Sequence, residues 1–141
     1  MTCCLDRLSG SQKAEWLLRW ALAVFFFFAG LGKIIGGVSA FVYQMTPGFE
    51  DTMLPVALVA GFFWIVPFLE VLLGVWLLVG FRRECALFTT GVLLVIFLFG
   101  HKIKGDGGAA IMPMFVYILT VAGALYLPAA WDLGCCGKCK K

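Results

Sequence analysis

The sequence predicts an all-α polytopic membrane protein: a bundle of four transmembrane helices with a short interfacial helix in the first outer loop. Three observations carry that expectation. Of the 141 residues, 62% are hydrophobic and 13% charged. Soluble domains carry roughly 25% charged residues, so half that share leaves too little polar surface for a water-facing shell and excludes a soluble enzyme. The apolar residues gather in four blocks divided by charge and Gly/Pro punctuation. Each block is longer than a buried strand uses, and backbone polar groups in lipid must pair within their own segment, so each is expected to be a helix.

The first expected span is 16–35, interrupted by Arg19 near its start and Lys33 near its end. At about 1.5 Å per residue it is roughly 30 Å long, one hydrocarbon thickness. Lys13 and Arg19 ahead of an apolar run have the look of a secretory signal. The run is long enough to span, however, and Gly36, Gly37 and Val38 offer no small-x-small cleavage site, so it is kept as the first helix. In the connection that follows, Val38, Phe41, Val42 and Met45 form an i, i+3, i+4, i+7 stripe. That stripe suits a short helix lying on the membrane surface, ended by Thr46-Pro47-Gly48. The second span, 55–81, holds a single charge, Glu70. Arg82-Arg83-Glu84 has room only for a hairpin, which makes the second and third helices antiparallel neighbours. The third span, 85–103, runs into a charged, Gly-rich segment from His101 to Ala110 that is expected to be a loop. The fourth, 111–131, is uncharged. The transmembrane domain is thus 16–131, flanked by an N-terminal segment, 1–15, and a Cys/Lys-rich tail, 132–141.

Four spans place both termini on one side with the tight turn. That side collects Arg7, Lys13, Arg19, Arg82, Arg83, Lys138, Lys140 and Lys141, against Lys33, Lys102 and Lys104 on the other. Short basic segments resist translocation, so the expected location is the inner (cytoplasmic) membrane, multi-pass, with both termini cytoplasmic. Trp16, Trp20 and Trp131 then fall near the inner interface, where indole rings favour the headgroups. The net charge of +3 suits an anionic inner leaflet. The expected partners are the lipid bilayer and other membrane or redox protein subunits; nothing suggests nucleic acid.

An ionised group near the bilayer centre costs a few kcal/mol, so each such residue needs a partner or a wet cavity. Glu70 precedes Arg82 by about 18 Å of helix, which sets it near mid-membrane. Pro67, at i−3, frees the Phe63 carbonyl, and Gly74, at i+4, lets another backbone approach. Lys33, near the outer end of its helix, has a stem long enough to reach Glu70 or to snorkel outward. One reading is a proton-handling or polar headgroup site made of Glu70, Lys33 and His101. The other is a buried ion pair or protonated carboxyl that fixes helix register. Gly32 and Gly36, extended by Ala29 and Gly30, form a slender helix face suited to packing within the bundle. Phe25 to Phe28 point around a whole helix turn, so some of these rings face lipid, a partner, or a quinone or carotenoid.

Cys3, Cys4, Cys85, Cys135, Cys136 and Cys139 all fall on the expected inner side. That compartment is reducing in a bacterial or archaeal cell, so structural disulfides are not expected. Cys136-Gly137-Lys138-Cys139 is a C-x-x-C beside Cys135, with lysines that would lower thiol pKa values. Together with Cys3 and Cys4 these thiols offer soft ligands for zinc or copper. A thiol redox relay and an unligated tail are the competing readings.

Arg19 ahead of a run ending in Gly30-x-x-Lys33, Glu70 in Leu69-Glu70-Val71-Leu72-Leu73-Gly74, the stretch Leu77-Leu78-Val79-Gly80-Phe81-Arg82-Arg83, and His101 together resemble the DoxX family of small four-helix membrane proteins, over roughly Arg19 to Tyr126. That resemblance implies association with redox systems. DoxX-like members include the membrane subunit of a thiosulfate:quinone oxidoreductase and a membrane partner of superoxide-detoxifying and sulfur-transfer proteins. By that analogy Lys33, Glu70 and His101 are the positions of interest, and the cysteine-bearing ends lie outside the pattern.

Three functions are consistent with these features. The first is a DoxX-like accessory membrane subunit that docks or stabilises a redox or electron-transfer complex and borders a quinone, more a non-catalytic subunit than an enzyme. The second is a thiol- or metal-dependent quinone oxidoreductase using the inner-side cysteines. The third is a small-molecule or proton-coupled carrier centred on Glu70.

Overall fold

Ser9 starts the first helix. Its backbone is extended, its hydroxyl accepts from the Gln12 amide at 3.4 Å, and its own amide donates to Gln12 Oε1 at 3.0 Å. This capping box satisfies two otherwise orphaned groups, and it sets the helix start, Gly10, several residues ahead of the apolar block. The computed structural model describes residues 9–105 and 108–128, and among these every regular element is helical. In chain order they are α1 (Gly10–Ile35), α2 (Val38–Met45), a 3₁₀ turn (Thr46–Phe49), α3 (Val56–Val79), α4 (Arg83–Lys104) and α5 (Gly108–Tyr126).

Local chemistry explains the breaks. Gly37, at φ 92°, turns the chain from α1 into α2, a conformation that glycine adopts without a Cβ clash. The Val38, Phe41, Val42, Met45 stripe is indeed helical. Beyond it Thr46 Oγ1 donates back to the Val42 carbonyl at 2.7 Å and Pro47 tightens the backbone into the 3₁₀ turn. α3 ends at Gly80, in the left-handed region at φ 72°, and Trp76 Nε1 ties the turn by donating to the Phe81 carbonyl at 2.6 Å.

The segment from His101 to Ala110, expected as a loop, is mostly helical. α4 continues through Lys104, and α5 starts at Gly108. His101, Lys102 and Lys104 occupy the last turn of α4, where positive charge complements the helix dipole, and Gly105 at φ 77° supplies the left-handed stop.

α1 packs most extensively on α3, and α4 on α5, with α1 also lying along α5. The short turn does join α3 to α4 as expected, yet these two share far less surface than α1 and α3 do. The closest backbone approach is between α1 and α3. A Cβ on Gly30 would sit 2.6 Å from the Pro67 carbonyl oxygen, and one on Gly74 would sit 2.7 Å from the Phe27 amide. The two glycines therefore face opposite helices across one crossing. Gly32, by contrast, meets nothing within 4 Å, so Gly30 rather than the Gly32/Gly36 pair makes the tight contact.

Leu22, Ala23, Phe26, Leu73, Leu77, Leu87, Leu94 and Val121 build the core between the four long helices. Large apolar side chains also face outward: Phe28, Leu72, Phe88 and Leu119 are each more than 60% exposed. That is the surface of a protein solvated by lipid. α1, α3 and α4 are each long and apolar enough to cross a membrane, and hydroxyls within them are satisfied along the helix, as where Thr90 Oγ1 donates to the Ala86 carbonyl at 2.8 Å. The chain is a multi-pass membrane protein.

Candidate functional site: a buried ion pair, its chamber and a clamp at the opposite end

Lys33 and Glu70 meet. The ammonium donates to both carboxylate oxygens, at 2.6 Å to Oε1 and 2.5 Å to Oε2, and Glu70 is 3% exposed. The positions follow from the backbone. Lys33 lies in the last turn of α1, one turn beyond Gly30, while Glu70 lies one turn beyond Pro67, the residue that Gly30 touches. The close crossing thus brings the two side chains into reach. The Lys33 ammonium also stands 5.4 Å from the centre of the Phe41 ring, within cation–π range, so α2 forms a third wall of the pair.

The pair lines a chamber of about 420 Å³. Its body is apolar, with Phe25, Phe26, Phe62, Phe97 and Leu94 among the walls, and α2 and the 3₁₀ turn contribute Phe41, Met45 and Phe49 at one end. The chamber lies between α3 and α4, the helices that share little surface. His101 and Lys104, from the last turn of α4, line the same space. The three residues singled out from sequence, Glu70, Lys33 and His101, therefore border one cavity, two of them in direct contact. On the other side of Lys33 and Phe41 is a small-residue groove of about 330 Å³ lined by Gly32, Gly36, Gly37, Ala40 and Gln44. Lys33, Phe41 and Ala29 belong to both cavities and partition them.

The opposite end of the bundle, which carries the α3–α4 turn, holds a charge cluster that the sequence reading missed. Glu15 is fully buried and lies 3.2 Å from Arg19 Nε and 3.4 Å from Arg83 Nη1; both arginines are buried too. Arg19 Nη1 donates to the Leu77 carbonyl near the end of α3, at 2.7 Å. Arg83 Nη1 donates to the Ala124 and Leu127 carbonyls at the end of α5, at 3.4 and 3.2 Å. Cations thus meet the negative ends of two helices, and one carboxylate holds both cations. The available signal was the i, i+4 spacing of Glu15 and Arg19.

Cys3, Cys4, Cys135, Cys136 and Cys139 lie outside the described residues. Cys85, at the start of α4, is an exposed free thiol. Among the described residues no group of three or more His, Cys, Asp or Glu side chains converges on a metal position.

The family model described as methylamine utilisation protein MauE matches residues 11–105, about two thirds of the chain. The chain belongs to the MauE family. The match overturns the resemblance to DoxX, a different membrane family. That resemblance rested on short, mostly apolar motifs around Arg19, Lys33, Glu70 and His101, a composition that lipid imposes on any spanning helix. The MauE segment runs from α1 to the end of α4 and so contains Glu15, Arg19, Lys33, Glu70, Arg83 and His101, whereas the five terminal cysteines fall outside it. No curated protein and no solved structure matches the chain.

Proposed function

We propose that this MauE-family chain is an integral membrane accessory protein that serves a redox system by docking or stabilising a partner enzyme. The observation that carries this reading is the match to a family described by its part in methylamine utilisation. The architecture supports it. Among the described residues the buried charges gather in two clusters, Glu70 with half-buried Lys33 and Glu15–Arg19–Arg83, each binding helices to one another, and the broad apolar exterior is available to lipid and to other membrane subunits.

In this reading α5 is the fourth span, since its apolar part, Ile111–Tyr126, is continued by Leu127. α2 lies at the outer membrane surface, with Tyr43 exposed. The excess of Lys and Arg on the side of the α3–α4 turn puts that turn and both termini in the cytoplasm. On this topology the terminal cysteines fall on the cytoplasmic side, available for a thiol or metal role.

The test is recovery of the partner. A tagged chain, solubilised in mild detergent after reversible cross-linking in the membrane, should copurify with an oxidoreductase subunit identified by mass spectrometry. Recovery of the chain with lipid alone, with and without cross-linking, would reject the accessory role.

A further inference from the structure

The chamber beside Glu70 has a use that the accessory role does not require. The chamber opens at the helix surface, where Leu58, Ile96 and Phe99 of its lining are exposed, and its volume of about 420 Å³ lies in the size range of ligand pockets. Water does not suit most of it, because a bound water needs two to four polar partners and Phe25, Phe26, Phe62 and Phe97 offer none. The polar lining is the Lys33–Glu70 pair, whose charges cancel, together with His101 and Lys104, each already engaged in an interaction of its own. One ammonium proton remains beyond the two given to Glu70, and the carboxylate retains lone pairs. A charged head brought to that wall would lose water without meeting an uncompensated opposite charge; a carbonyl or hydroxyl oxygen would meet a ready donor.

We propose that the chamber binds one membrane-derived molecule with an apolar body and a neutral, oxygen-bearing head, the head set against the Lys33–Glu70 pair. Prenyl quinones and neutral acyl lipids share that chemistry. The site stands on geometry alone, so it survives or fails independently of the partner enzyme.

Native mass spectrometry of the full chain in detergent tests it with three probes: decylubiquinone, 1,2-dioctanoylglycerol and decanoate. One equivalent of decylubiquinone or of dioctanoylglycerol should bind, and whichever binds identifies the source, while decanoate should not compete. Met45→Trp and Met114→Trp fill the space from two different lining elements, α2 and α5, at positions where flexible side chains tolerate exchange. Each should cut occupancy at least about tenfold while circular dichroism stays helical. Glu70→Gln with Lys33→Met should weaken both neutral probes. Absence of a stoichiometric adduct, equal binding by folded tryptophan variants, or preference for decanoate would overturn the proposal. If the tryptophan variants fail to fold, an adduct on the wild type that decanoate displaces is enough to reject it.

Discussion

The Lys33 ammonium grips both oxygens of the Glu70 carboxylate, across 37 residues of sequence and between two helices. Neither residue is placed by its neighbours in sequence. Gly30 and Gly74 let the α1 and α3 backbones close on each other, and that approach delivers the lysine of one helix to the carboxylate of the other. The pair is therefore a consequence of glycine packing, and it also forms the polar wall of the chamber.

Removing one member of a buried pair strands the other charge, at a cost of about 3–5 kcal/mol. Lys33→Met should lower the thermal midpoint of the detergent-solubilised protein more than the double change Lys33→Met with Glu70→Gln, which removes both charges. Static light scattering or fluorescence-detected size exclusion against temperature reads this directly. A double variant less stable than Lys33→Met would show that the charges do not compensate each other.

Gly30→Val should be among the most damaging single changes in the chain, because even one carbon at that position meets the Pro67 carbonyl and Val71. The cost expected of overpacking is about 1–3 kcal/mol or more. Gly61→Ala, on α3 where an added Cβ meets nothing within 4 Å, should leave the midpoint unchanged or raise it slightly. Equal tolerance of the two would place the α1–α3 crossing elsewhere.

Much of the bundle was legible because lipid constrains a sequence strongly. Long apolar runs identified α1, α3 and α4, the i, i+3, i+4, i+7 stripe of Val38, Phe41, Val42 and Met45 identified α2, and the expense of intramembrane charge marked Lys33 and Glu70 as residues that need a partner or a wet cavity. What was not legible depended on distant contacts. Glu15 precedes the apolar block, and its buried role depends on the arrival of Arg83 from α4. The continuation of α4 through His101 to Lys104 was hidden because glycines and charges signal a loop and a helix C-terminus alike. The family was misread because its apolar motifs are shared by unrelated membrane proteins.

Glu15 holds two buried arginines, so Glu15→Gln should destabilise the turn end of the bundle by about 3–5 kcal/mol. The combined change Glu15→Gln with Arg83→Met should recover part of that loss, measured by the same thermal midpoint. Hydrogen exchange would localise the effect of Glu15→Gln to the C-terminal ends of α3 and α5, whose carbonyls the arginines hold. Exchange increased only around α2 would contradict this role.

The proposed orientation makes a labelling prediction. In a chain whose other cysteines are replaced by serine, Cys85, beside the α3–α4 turn, should react with a membrane-impermeant maleimide only after the membrane is opened. Cysteine introduced by Tyr43→Cys on α2 should react in intact cells or spheroplasts. Reversal of the two would invert the topology.

The contact at the centre of the fold can be observed in a bilayer. Solid-state NMR with ¹⁵N at lysine Nζ and ¹³C at glutamate Cδ should show a short-range dipolar coupling that disappears in Glu70→Gln. A spectrum without that coupling, or one unchanged by the substitution, would mean that Lys33 and Glu70 do not meet inside the membrane.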